Sequence, residues 1–571
     1  MFPLLKIRYY DVSLKLVAVT YDKDRHEIHF GGKQQRLPRK RQTTSASERK
    51  RTDSLDAFDD IKPKSEVTTN DLKARLLKRM RERKEGKASR SRSPSPKKPF
   101  GESSSSGGFG KLKDSAEKAD EKTKKPETSL DRLKRRLQAR KRKEKNPDAD
   151  GNESDLESIA QSETSILAML RSVRKGAKYQ RALSASSPIF PGSGLNEDQL
   201  VWQDAAQKWG AAELGPFSAE WDAKCHYPID VIKSSAEQGF LGLYTSEDVG
   251  GMGLSRLETS IVVEALSEHC VPTTAMMTIH NMVSWMIDVN GTPEQREEYC
   301  PRLTSGEIIG SYCLTEPGSG SDASALATTC VRDGDDYVLN GSKCFISGAG
   351  VHDLYAVMVR TDPATKGPKG ISCVLIPKDT PGLSFGADET KMGWKSHPTK
   401  VLIMENCRVP VSNLLGVEGK GFNIAMSGLN GGRVNIASCS LGGAQKAMLA
   451  AKEHLGVRKA FGKTLDSQQY LQYKMAELAT QLVTSRLMVR HAAAAIDQKD
   501  PAAASLCAMA KLHATDNCSE VANGCLQMFG GYGYLKDYPC EQIVRDLRVH
   551  SILEGANEVM RLIISRQLLS E

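Results

Sequence analysis

The feature that most restricts how this chain can fold is a long low-complexity stretch, residues 34–168. It contains basic runs such as Arg39–Arg41 and Arg140–Lys143, Ser-Arg and Ser-Pro repeats, and few aromatic residues. Such a composition cannot bury enough apolar surface to offset the entropy that is lost on ordering. We therefore predict that residues 1–168 are largely disordered, with one strand-like piece at residues 14–21, and that the compact part of the chain follows them.

The basic excess of this stretch admits two interpretations. The chain carries a formal net charge of +10, and its basic runs are concentrated in residues 34–145. Clusters of Lys and Arg bind phosphate backbones electrostatically, so one interpretation is a nucleic-acid-binding tail. The other is a solvated linker. Because aromatic side chains for base stacking are scarce, the two interpretations are about equally supported.

A second boundary follows at Met169. Residues 169–193 are rich in Arg, Lys, Ser and Ala, and no acidic residue occurs between Met169 and Glu197. This is the composition of a mitochondrial transit peptide. We therefore expect translation of the functional protein to start near Met169, residues 1–168 to be a fused or mis-joined upstream segment, and the mature protein to reside in the mitochondrial matrix.

Beyond the transit-like segment the hydrophobic pattern changes twice. Residues 194–309 show apolar spacing typical of helices, residues 310–412 show short apolar runs separated by turn signals, and residues 413–571 return to helical spacing. This order predicts an α+β protein with an all-α N-terminal domain, a middle antiparallel β barrel or sandwich, and a helical C-terminal domain.

The segment Tyr312–Asp322 joins a short apolar strand to a loop of small residues. Glycines there allow close approach of a ligand, and N–H and hydroxyl groups can hold anionic oxygens. The spacing of Gly318, Gly320 and Ala323 mimics a dinucleotide fingerprint, which requires a helix to follow. The following residues instead predict a β-hairpin on an Asp333-Gly334 turn. A flat cofactor lying against a sheet and a tight surface turn both stay open from this stretch alone.

Cysteine and histidine patterns favour neither disulfide nor metal chemistry. The thirteen cysteines are scattered without a C-x-x-C pair or metal-ligand spacing, which indicates reduced thiols in an intracellular compartment. His280 lies in an apolar run without a partner at metal spacing, so we expect a packed core histidine. The sequence contains no run of about eighteen apolar residues, the length a spanning helix needs.

Two motifs and the domain order resemble the acyl-CoA dehydrogenase family. Cys313–Glu316 together with Gly320–Asp322 is similar to the first signature of that family, and Gln527–Tyr534 is similar to the second. The resemblance covers residues 194–571. It implies that the C-terminal domain resembles a four-helix bundle and that the protein assembles as a homotetramer.

Further phrases resemble the members of the family that act on short branched-chain thioesters, isobutyryl-CoA in particular. These phrases are Gly341–Gly350, Gly428–Arg433 and Gly530–Tyr538. The resemblance implies a flavoprotein that converts isobutyryl-CoA to methacrylyl-CoA in valine breakdown and passes electrons to electron-transfer flavoprotein. A 2-methylbutyryl-CoA or short straight-chain enzyme is the alternative within the family, because one methylene changes discrimination only modestly.

Glu554 matches the catalytic base of the family. The α proton of a thioester is weakly acidic, so its removal needs a positioned carboxylate, and burial should raise the pKa of that carboxylate toward the working range. An ordinary carboxylate near a helix N-terminus is the simpler alternative. Some members place the base near the position of Gly432, but no carboxylate occurs between Gly428 and Ala437. Glu554 is therefore the candidate base.

The resemblance also implies two sets of binding residues, of which Thr315 and Ser347 would offer hydroxyls to the flavin edge. The FAD set is Tyr312, Cys313, Leu314, Thr315, Glu316, Pro317, Gly318, Ser319, Gly320, Ser321, Phe345, Ile346, Ser347, Arg458, Gln468, Gln469, Gln527, Met528, Phe529, Gly530, Gly531, Ala556, Asn557 and Glu558. Some of these residues would reach the FAD of a neighbouring subunit. The acyl-CoA set is Ser321, Asn430, Gly431, Gly432, Arg433 and Arg566.

Two function classes outside this enzyme remain as alternatives. The first is a nucleic-acid-binding protein that acts through residues 1–168, and it predicts salt-sensitive binding to RNA or DNA. The second is a family member without activity that serves as a scaffold, and the presence of Glu554 argues against it.

Overall fold

The computed structural model describes residues 187–570 and, within residues 7–36, the backbone of four strands. These strands form an antiparallel sheet in the order β1-β2-β3-β4. The predicted strand-like piece overlaps β2, and the other three strands are seen only in the structure. Gly31-Gly32, between β3 and β4, is a hairpin signal that would have indicated two of them. The bounds are β1 (Ile7–Tyr10), β2 (Leu16–Asp22), β3 (Glu27–Phe30) and β4 (Lys33–Arg36).

Several predictions for the first third of the chain lie outside the described residues. They concern the low-complexity tail, the transit-like segment as far as residue 186 and the start near Met169. The chain divides into two compact units, residues 1–118 and 119–571, and all that follows concerns the second unit.

Helices follow from residue 197, as the apolar spacing predicts. Three of them begin with capping boxes, in which the side chain of Asn196, Ser255 or Thr292 accepts a backbone N–H and a Gln or Glu side chain bonds back. Such a cap satisfies N–H groups that the helix leaves unpaired and contributes about 1 kcal/mol. The helices are α1 (Glu197–Glu213), α2 (Ser218–Lys224), α3 (Ile229–Ser234), α4 (Arg256–Ser267), α5 (Val271–Asn290) and α6 (Pro293–Thr304).

An eight-stranded sheet follows, in the order β10-β11-β7-β6-β8-β9-β12, with β5 paired to β8. Its pairings are antiparallel except for the parallel β5–β8 and β6–β8 contacts. The predicted hairpin is confirmed, since Asp333 pairs with Asp336 and Gly334 has a φ of 65°, which glycine adopts without strain. The strands are β5 (Gly310–Cys313), β6 (Thr329–Asp333), β7 (Asp336–Ser347), β8 (Leu354–Arg360), β9 (Ile371–Pro377), β10 (Leu383–Phe385), β11 (Thr399–Pro410) and β12 (Leu414–Leu415).

The C-terminal part is a bundle of long helices joined by one small hairpin. Small residues bring the helices close together: a Cβ at Gly442 would lie 2.1 Å from Ser267 Oγ, so only glycine lets α7 pass α4 at this distance. The elements are α7 (Gly421–Val457), β13 (Lys459–Ala460), β14 (Lys463–Thr464), α8 (Gln469–Asp497), α9 (Ala503–Met528), α10 (Pro539–Leu547) and α11 (Asn557–Ser570).

The predicted fold class is confirmed, because helical parts flank a middle sheet. The cysteines are free thiols, and all of them except Cys225 are buried. His280 is the expected core histidine: its Nε2 lies 3.0 Å from the Leu303 carbonyl oxygen and its Nδ1 accepts the Gly310 N–H at 3.1 Å. Within the described residues, no helix combines the length and the apolar character needed to cross a membrane.

Candidate active site

A cavity of about 840 Å³ opens between α5, the sheet, α7 and the segment that leads into α11. Ser321 and Arg566, which are exposed and polar, lie at its mouth. Ala275 and Ile436, which are buried and apolar, lie at its closed end. A deep apolar pocket with a few polar groups is the usual form of a small-molecule site.

The structure gathers one part of the predicted site residues in this cavity. The predicted residues that line it are Tyr312, Leu314, Thr315, Gly320, Ser321, Phe345, Ile346, Ser347, Arg433, Glu554 and Arg566. Those outside its lining are Cys313, Glu316, Pro317, Gly318, Ser319, Asn430, Gly431, Gly432, Arg458, Gln468, Gln469, Gln527, Met528, Phe529, Gly530, Gly531, Ala556, Asn557 and Glu558.

Glu316 and Lys343 fix the loop that follows β5. Lys343 Nζ lies 2.6 Å from Glu316 Oε1, and both side chains are buried. Glu316 also accepts the N–H groups of Ala327 at 2.6 Å and Thr328 at 3.0 Å. Burial alone would raise the pKa of Glu316, but Lys343 and the Ala327 N–H lower it overall. The side chain of Glu316 therefore holds the loop in place, and Lys343 is a positioning residue that sequence reasoning did not single out.

Strand β7 ends at the cavity with Phe345, Ile346 and Ser347. Phe345 has a φ of 58°, and its side chain is 66% exposed along the wall. Left-handed conformations are rare for residues other than glycine and concentrate at functional sites. Ser311 Oγ donates to the Ser347 carbonyl oxygen at 2.7 Å, which ties this end of β7 to β5. The wall thus presents an aromatic ring beside the hydroxyls of Ser347 and Thr315.

Glu554 reaches the cavity from a tight turn just before α11. Glu554 and Gly555 are both left-handed, with φ values of 58° and 90°. Glu554 Oε2 is buried and has no hydrogen-bond partner among the described residues. Burial raises the pKa of Glu554 to about 7, although Arg433 and, to a smaller extent, Lys511 oppose the shift. A carboxylate with a pKa near neutrality is suited to act as a general base.

The space for this carboxylate is provided by Gly432 of α7. A Cβ at Gly432 would lie only 2.4 Å from Glu554 Oε2. The carboxylate therefore occupies the volume that a side chain at this position would need. This contact explains why Gly432, which lies outside the cavity lining, still belongs to the site.

Arg433 and Tyr312 surround Glu554 with polar groups of different kinds. Arg433 is 5% exposed; its Nε donates to the Glu554 carbonyl oxygen at 3.4 Å and its Nη1 to Asn430 Oδ1 at 2.7 Å. The Tyr312 hydroxyl is buried without a hydrogen-bond partner among the described residues. Burial, and then Glu554, raise the pKa of Tyr312 well above its usual value, so it remains a neutral donor.

Lys511 of α9 ties down the turn that carries Glu554. Its buried Nζ donates to the Gly555 carbonyl oxygen and to Asn557 Oδ1, both at 2.8 Å. Asn557 Nδ2 donates in turn to Asp516 Oδ1 at 2.7 Å. Burial lowers the pKa of Lys511 to about 8. Sequence reasoning missed this residue, and its only local signal is a lysine in an otherwise apolar helical stretch.

Trp394 is a further cavity residue that sequence reasoning missed. It lies in the long connection between β10 and β11, a region in which no strand or helix was predicted. A single tryptophan directly after a glycine in a mainly polar connection is unusual. This pattern is the one feature of the sequence that could have indicated a role for Trp394.

A second group of predicted residues lies apart from the cavity, where α7 and α9 end. We call Arg458, Phe529, Gly530 and Gly531 the distal surface. The Arg458 guanidinium lies 5.4 Å from the ring of the nearby Tyr532, and Phe529 stacks on His454 with ring centres 4.3 Å apart. Arg458 is exposed, so its guanidinium is available to a ligand or to another chain.

The cavity wall fits the flavin that the sequence implies. A flat ring system needs an apolar face and hydroxyl or amide groups at its edge. The exposed ring of Phe345 and the hydroxyls of Thr315 and Ser347 supply both on one wall. The Tyr312 hydroxyl adds a buried donor that has no hydrogen-bond partner among the described residues.

Comparison with known proteins gives consistent matches between residues 196 and 569. Models of the acyl-CoA dehydrogenase N-terminal, middle and C-terminal domains match residues 196–307, 311–407 and 419–569. The chain is 58% identical over 378 residues to the mitochondrial isobutyryl-CoA dehydrogenase of Dictyostelium discoideum, an alignment that covers 66% of this chain and 91% of that protein.

Two further comparisons extend this result. The mitochondrial isobutyryl-CoA dehydrogenase of Bos taurus is 54% identical over 407 residues, covering 71% of this chain and 97% of that protein. A chain in a structure described as the electron transferring flavoprotein of Acidaminococcus fermentans is 40% identical, with a TM-score of 0.65, covering 66% of this chain and 100% of that chain. The chain therefore belongs to the acyl-CoA dehydrogenase family and is an oxidoreductase of acyl-CoA thioesters.

Proposed function

We propose that the protein is a FAD-dependent dehydrogenase that converts isobutyryl-CoA into methacrylyl-CoA in valine breakdown. The observation that carries the proposal is Glu554, whose Oε2 is buried without a partner and whose pKa burial raises to about 7. A carboxylate of this kind, fixed in a deep apolar cavity, is suited to remove a weakly acidic α proton. The names of the two relatives support isobutyryl-CoA as the substrate.

In the proposed reaction Glu554 accepts the proton from the α carbon of the thioester. The β carbon loses a hydride, the double bond forms between the two carbons, and FAD supplies the hydride acceptor when it is bound. General-base catalysis of this kind contributes about 10²- to 10⁴-fold to the rate. The left-handed turn at Glu554 and Gly555 orients the carboxylate before the substrate arrives, which lowers the entropic part of the barrier.

Charge develops on the thioester oxygen as the α proton leaves, and it requires hydrogen-bond donors. We assign the backbone N–H of Glu554 to this role. Thr315 and Phe345–Ser347 would hold the flavin ring. Ser321 and Arg566 at the mouth would hold the CoA moiety, because a guanidinium pairs well with phosphate.

The proposal includes a homotetramer in the mitochondrial matrix. Phe461 is 93% exposed and Tyr470 is 76% exposed, close in sequence to Arg458 of the distal surface. Large exposed apolar side chains of this kind mark protein interfaces. We propose that the distal surface, with Gln468 and Gln469, binds the FAD of a neighbouring subunit. The names of the two relatives support a mitochondrial location, and the Acidaminococcus structure supports electron-transfer flavoprotein as the electron acceptor.

An anaerobic absorption experiment tests the function. The full chain, purified with FAD, is titrated with isobutyryl-CoA, butyryl-CoA and 2-methylbutyryl-CoA while the flavin band is followed. Glu554→Gln keeps the size of the side chain and removes the base, and Glu220→Gln changes an exposed glutamate of α2 as the matched control. We expect isobutyryl-CoA to bleach the wild type and Glu220→Gln most readily, and Glu554→Gln to stay yellow.

Each other outcome changes a different part of the proposal. Bleaching mainly by another of the three thioesters would retain the mechanism and change the substrate. Bleaching of Glu554→Gln at the wild-type rate would remove Glu554 from the role of base. A protein that binds no FAD would contradict the proposed function as a whole.

A further inference from the structure

The closed end of the cavity is formed in part by Trp394, which comes from the connection between β10 and β11 rather than from a helix. It is 6% exposed and lines the cavity. It packs in the same buried cluster as Ala275 of α5 and Ile436 of α7. Trp394 is thus the point at which the middle part of the chain inserts a large ring between two helices.

The backbone at Trp394 is held in a strained conformation. Its φ is 50°, a left-handed value that is costly for an aromatic residue. The Trp394 N–H donates to the buried Asp546 Oδ1 of α10 at 2.6 Å. A Cβ at the preceding Gly393 would lie 2.2 Å from the Arg545 carbonyl oxygen, so the chain passes α10 at the closest possible distance. These contacts fix where the side chain begins.

The indole ring is fixed as well. It stacks on His397 with ring centres 4.7 Å apart and an interplanar angle of 23°. It meets His550 edge-on at 5.5 Å. Both histidines are buried, and Ser440 hydrogen-bonds His550 Nδ1 at 2.7 Å. These two ring contacts restrict the movement of the indole.

The position of Trp394 relative to the other cavity residues determines what it would touch. Arg566 and Ser321 at the mouth are exposed and polar, as the CoA moiety requires. Glu554 supplies the carboxylate at the reacting carbon. The buried lining residues Ala275, Ile436 and Trp394 form the apolar end of the cavity, away from the exposed mouth. A thioester that enters from the mouth therefore points the far end of its acyl chain at the indole.

We propose that Trp394 is a specificity-determining residue, whose rigid indole limits the substrate to short acyl chains. This inference rests on the proposed function and narrows its substrate class. An acyl chain longer by a few methylenes has to displace the indole, which would break its stack on His397 while the backbone stays tied to Asp546. The role requires no polar contact, and the indole Nε1 is unpartnered among the described residues.

The test compares two substrates with the full chain loaded with FAD. The ratio of kcat/KM for hexanoyl-CoA to that for isobutyryl-CoA is measured for the wild type and for Trp394→Leu. Trp202→Leu is the matched control, because Trp202 is 2% exposed, also has an unpartnered Nε1 among the described residues, and lies outside the cavity lining. We expect Trp394→Leu to raise the ratio about 10-fold or more, because one methylene in an apolar pocket changes discrimination between substrates by at least about this factor. Trp202→Leu should leave the ratio unchanged.

A second substitution keeps the test decisive if Trp394→Leu does not fold or bind FAD. Trp394→Phe retains a ring that can stack on His397 but is shorter, and it should raise the ratio in the same direction by a smaller factor. If a yellow variant still oxidises isobutyryl-CoA and its ratio of kcat/KM values is unchanged, the inference is overturned. This holds even if the flavin spectrum of that variant differs from that of the wild type. A wild type that is bleached by neither thioester would overturn the proposed function, and the inference with it.

Discussion

Two fully buried lysines, Lys343 in the sheet and Lys511 in the helical bundle, have very different partners. Lys343 Nζ meets the carboxylate of Glu316 at 2.6 Å. Among the described residues, Lys511 Nζ donates instead to two neutral acceptors, the Gly555 carbonyl oxygen and Asn557 Oδ1, both at 2.8 Å. Lys343 is therefore neutralised by a directly paired carboxylate, whereas Lys511 keeps a charge that acts on Glu554, a carboxylate outside its hydrogen-bond shell.

The same residue type can thus serve stability in one region and catalysis in another. A directly paired buried charge fixes the geometry of the loop that follows β5, and breaking the pair leaves the other charge in a low-dielectric interior. A buried cation held by dipoles can instead tune a nearby ionisable group. We therefore expect changes at Lys343 to alter stability and changes around Lys511 to alter the pH dependence of activity.

The largest expected effect is that of Lys343→Met. Removing the cation leaves Glu316 buried and unpaired, which should lower the free energy of unfolding by about 3–5 kcal/mol. Urea denaturation at neutral pH measures this loss. Lys224→Met, at an exposed i,i+4 pair with Glu220, is the control and should leave stability nearly unchanged.

The pH dependence of this effect adds a second check. The pKa of Glu316 is lowered in the fold, so the contribution of the pair is present at neutral pH and is lost as the pH falls through the folded pKa. The difference between Lys343→Met and the wild type should therefore shrink in acid. A variant as stable as the wild type at neutral pH would contradict the structural role of the pair.

A smaller effect is expected from Gly432→Ala. The added methyl would lie 2.4 Å from Glu554 Oε2, so the carboxylate has to move, while Lys511 holds the backbone turn that carries it. Misplacement of a catalytic group by about 1 Å can cost about 10²-fold in rate, which we expect in kcat. Gly456→Ala, in the same helix with its nearest contact at 3.8 Å, should retain full activity. If both variants have the same kcat, the turn at Glu554 and Gly555 can adjust to the added methyl. That result would contradict the idea that Lys511 fixes the turn.

The smallest expected effect is that of Lys511→Met. Burial raises the pKa of Glu554 to about 7, with Arg433 and Lys511 opposing, so kcat/KM should rise with pH through an acid limb near pH 7. Removing Lys511 should raise the pKa further and move this limb up by about one pH unit. Activity at pH 7 would then fall about fivefold, because the fraction of Glu554 that is deprotonated at pH 7 falls by about that factor.

The pH profile separates this role from a merely structural one. Lys343→Met should keep the acid limb of the wild type, even though it is the less stable protein. If Lys511→Met loses activity equally at every pH, Lys511 acts only by holding the turn, and the contrast between the two lysines disappears.

The succession of helices, strands and helices could be predicted, because periodicity and turn chemistry are local. The hairpin at Gly334 and the core position of His280 were predicted for the same reason. Strands β10 and β12 contain three and two residues, too few for any period to show. The parallel pairing of β5 with β8 depends on contacts between distant segments, which no local pattern reports.

The candidate site shows the same division between local and distant information. Resemblance to a family indicated Glu554, Thr315 and the end of β7. It could not indicate the left-handed turn that aims Glu554, or the contact between Glu554 and Gly432, because both arise only when α7 and the last turn are brought together. Trp394 was missed because its role comes from insertion between helices that lie far from it in the sequence.

The buried thiols also affect how the protein loses activity when it unfolds. Twelve cysteines are hidden in the interior, and Cys225 alone is exposed. A molecule that unfolds exposes all of them at once to oxidants and to one another, and the resulting sulfenic acids and mixed disulfides block return to the native state. In air, thermal inactivation should therefore be irreversible, with an apparent Tm that depends on the heating rate, and a reductant should increase the fraction that refolds.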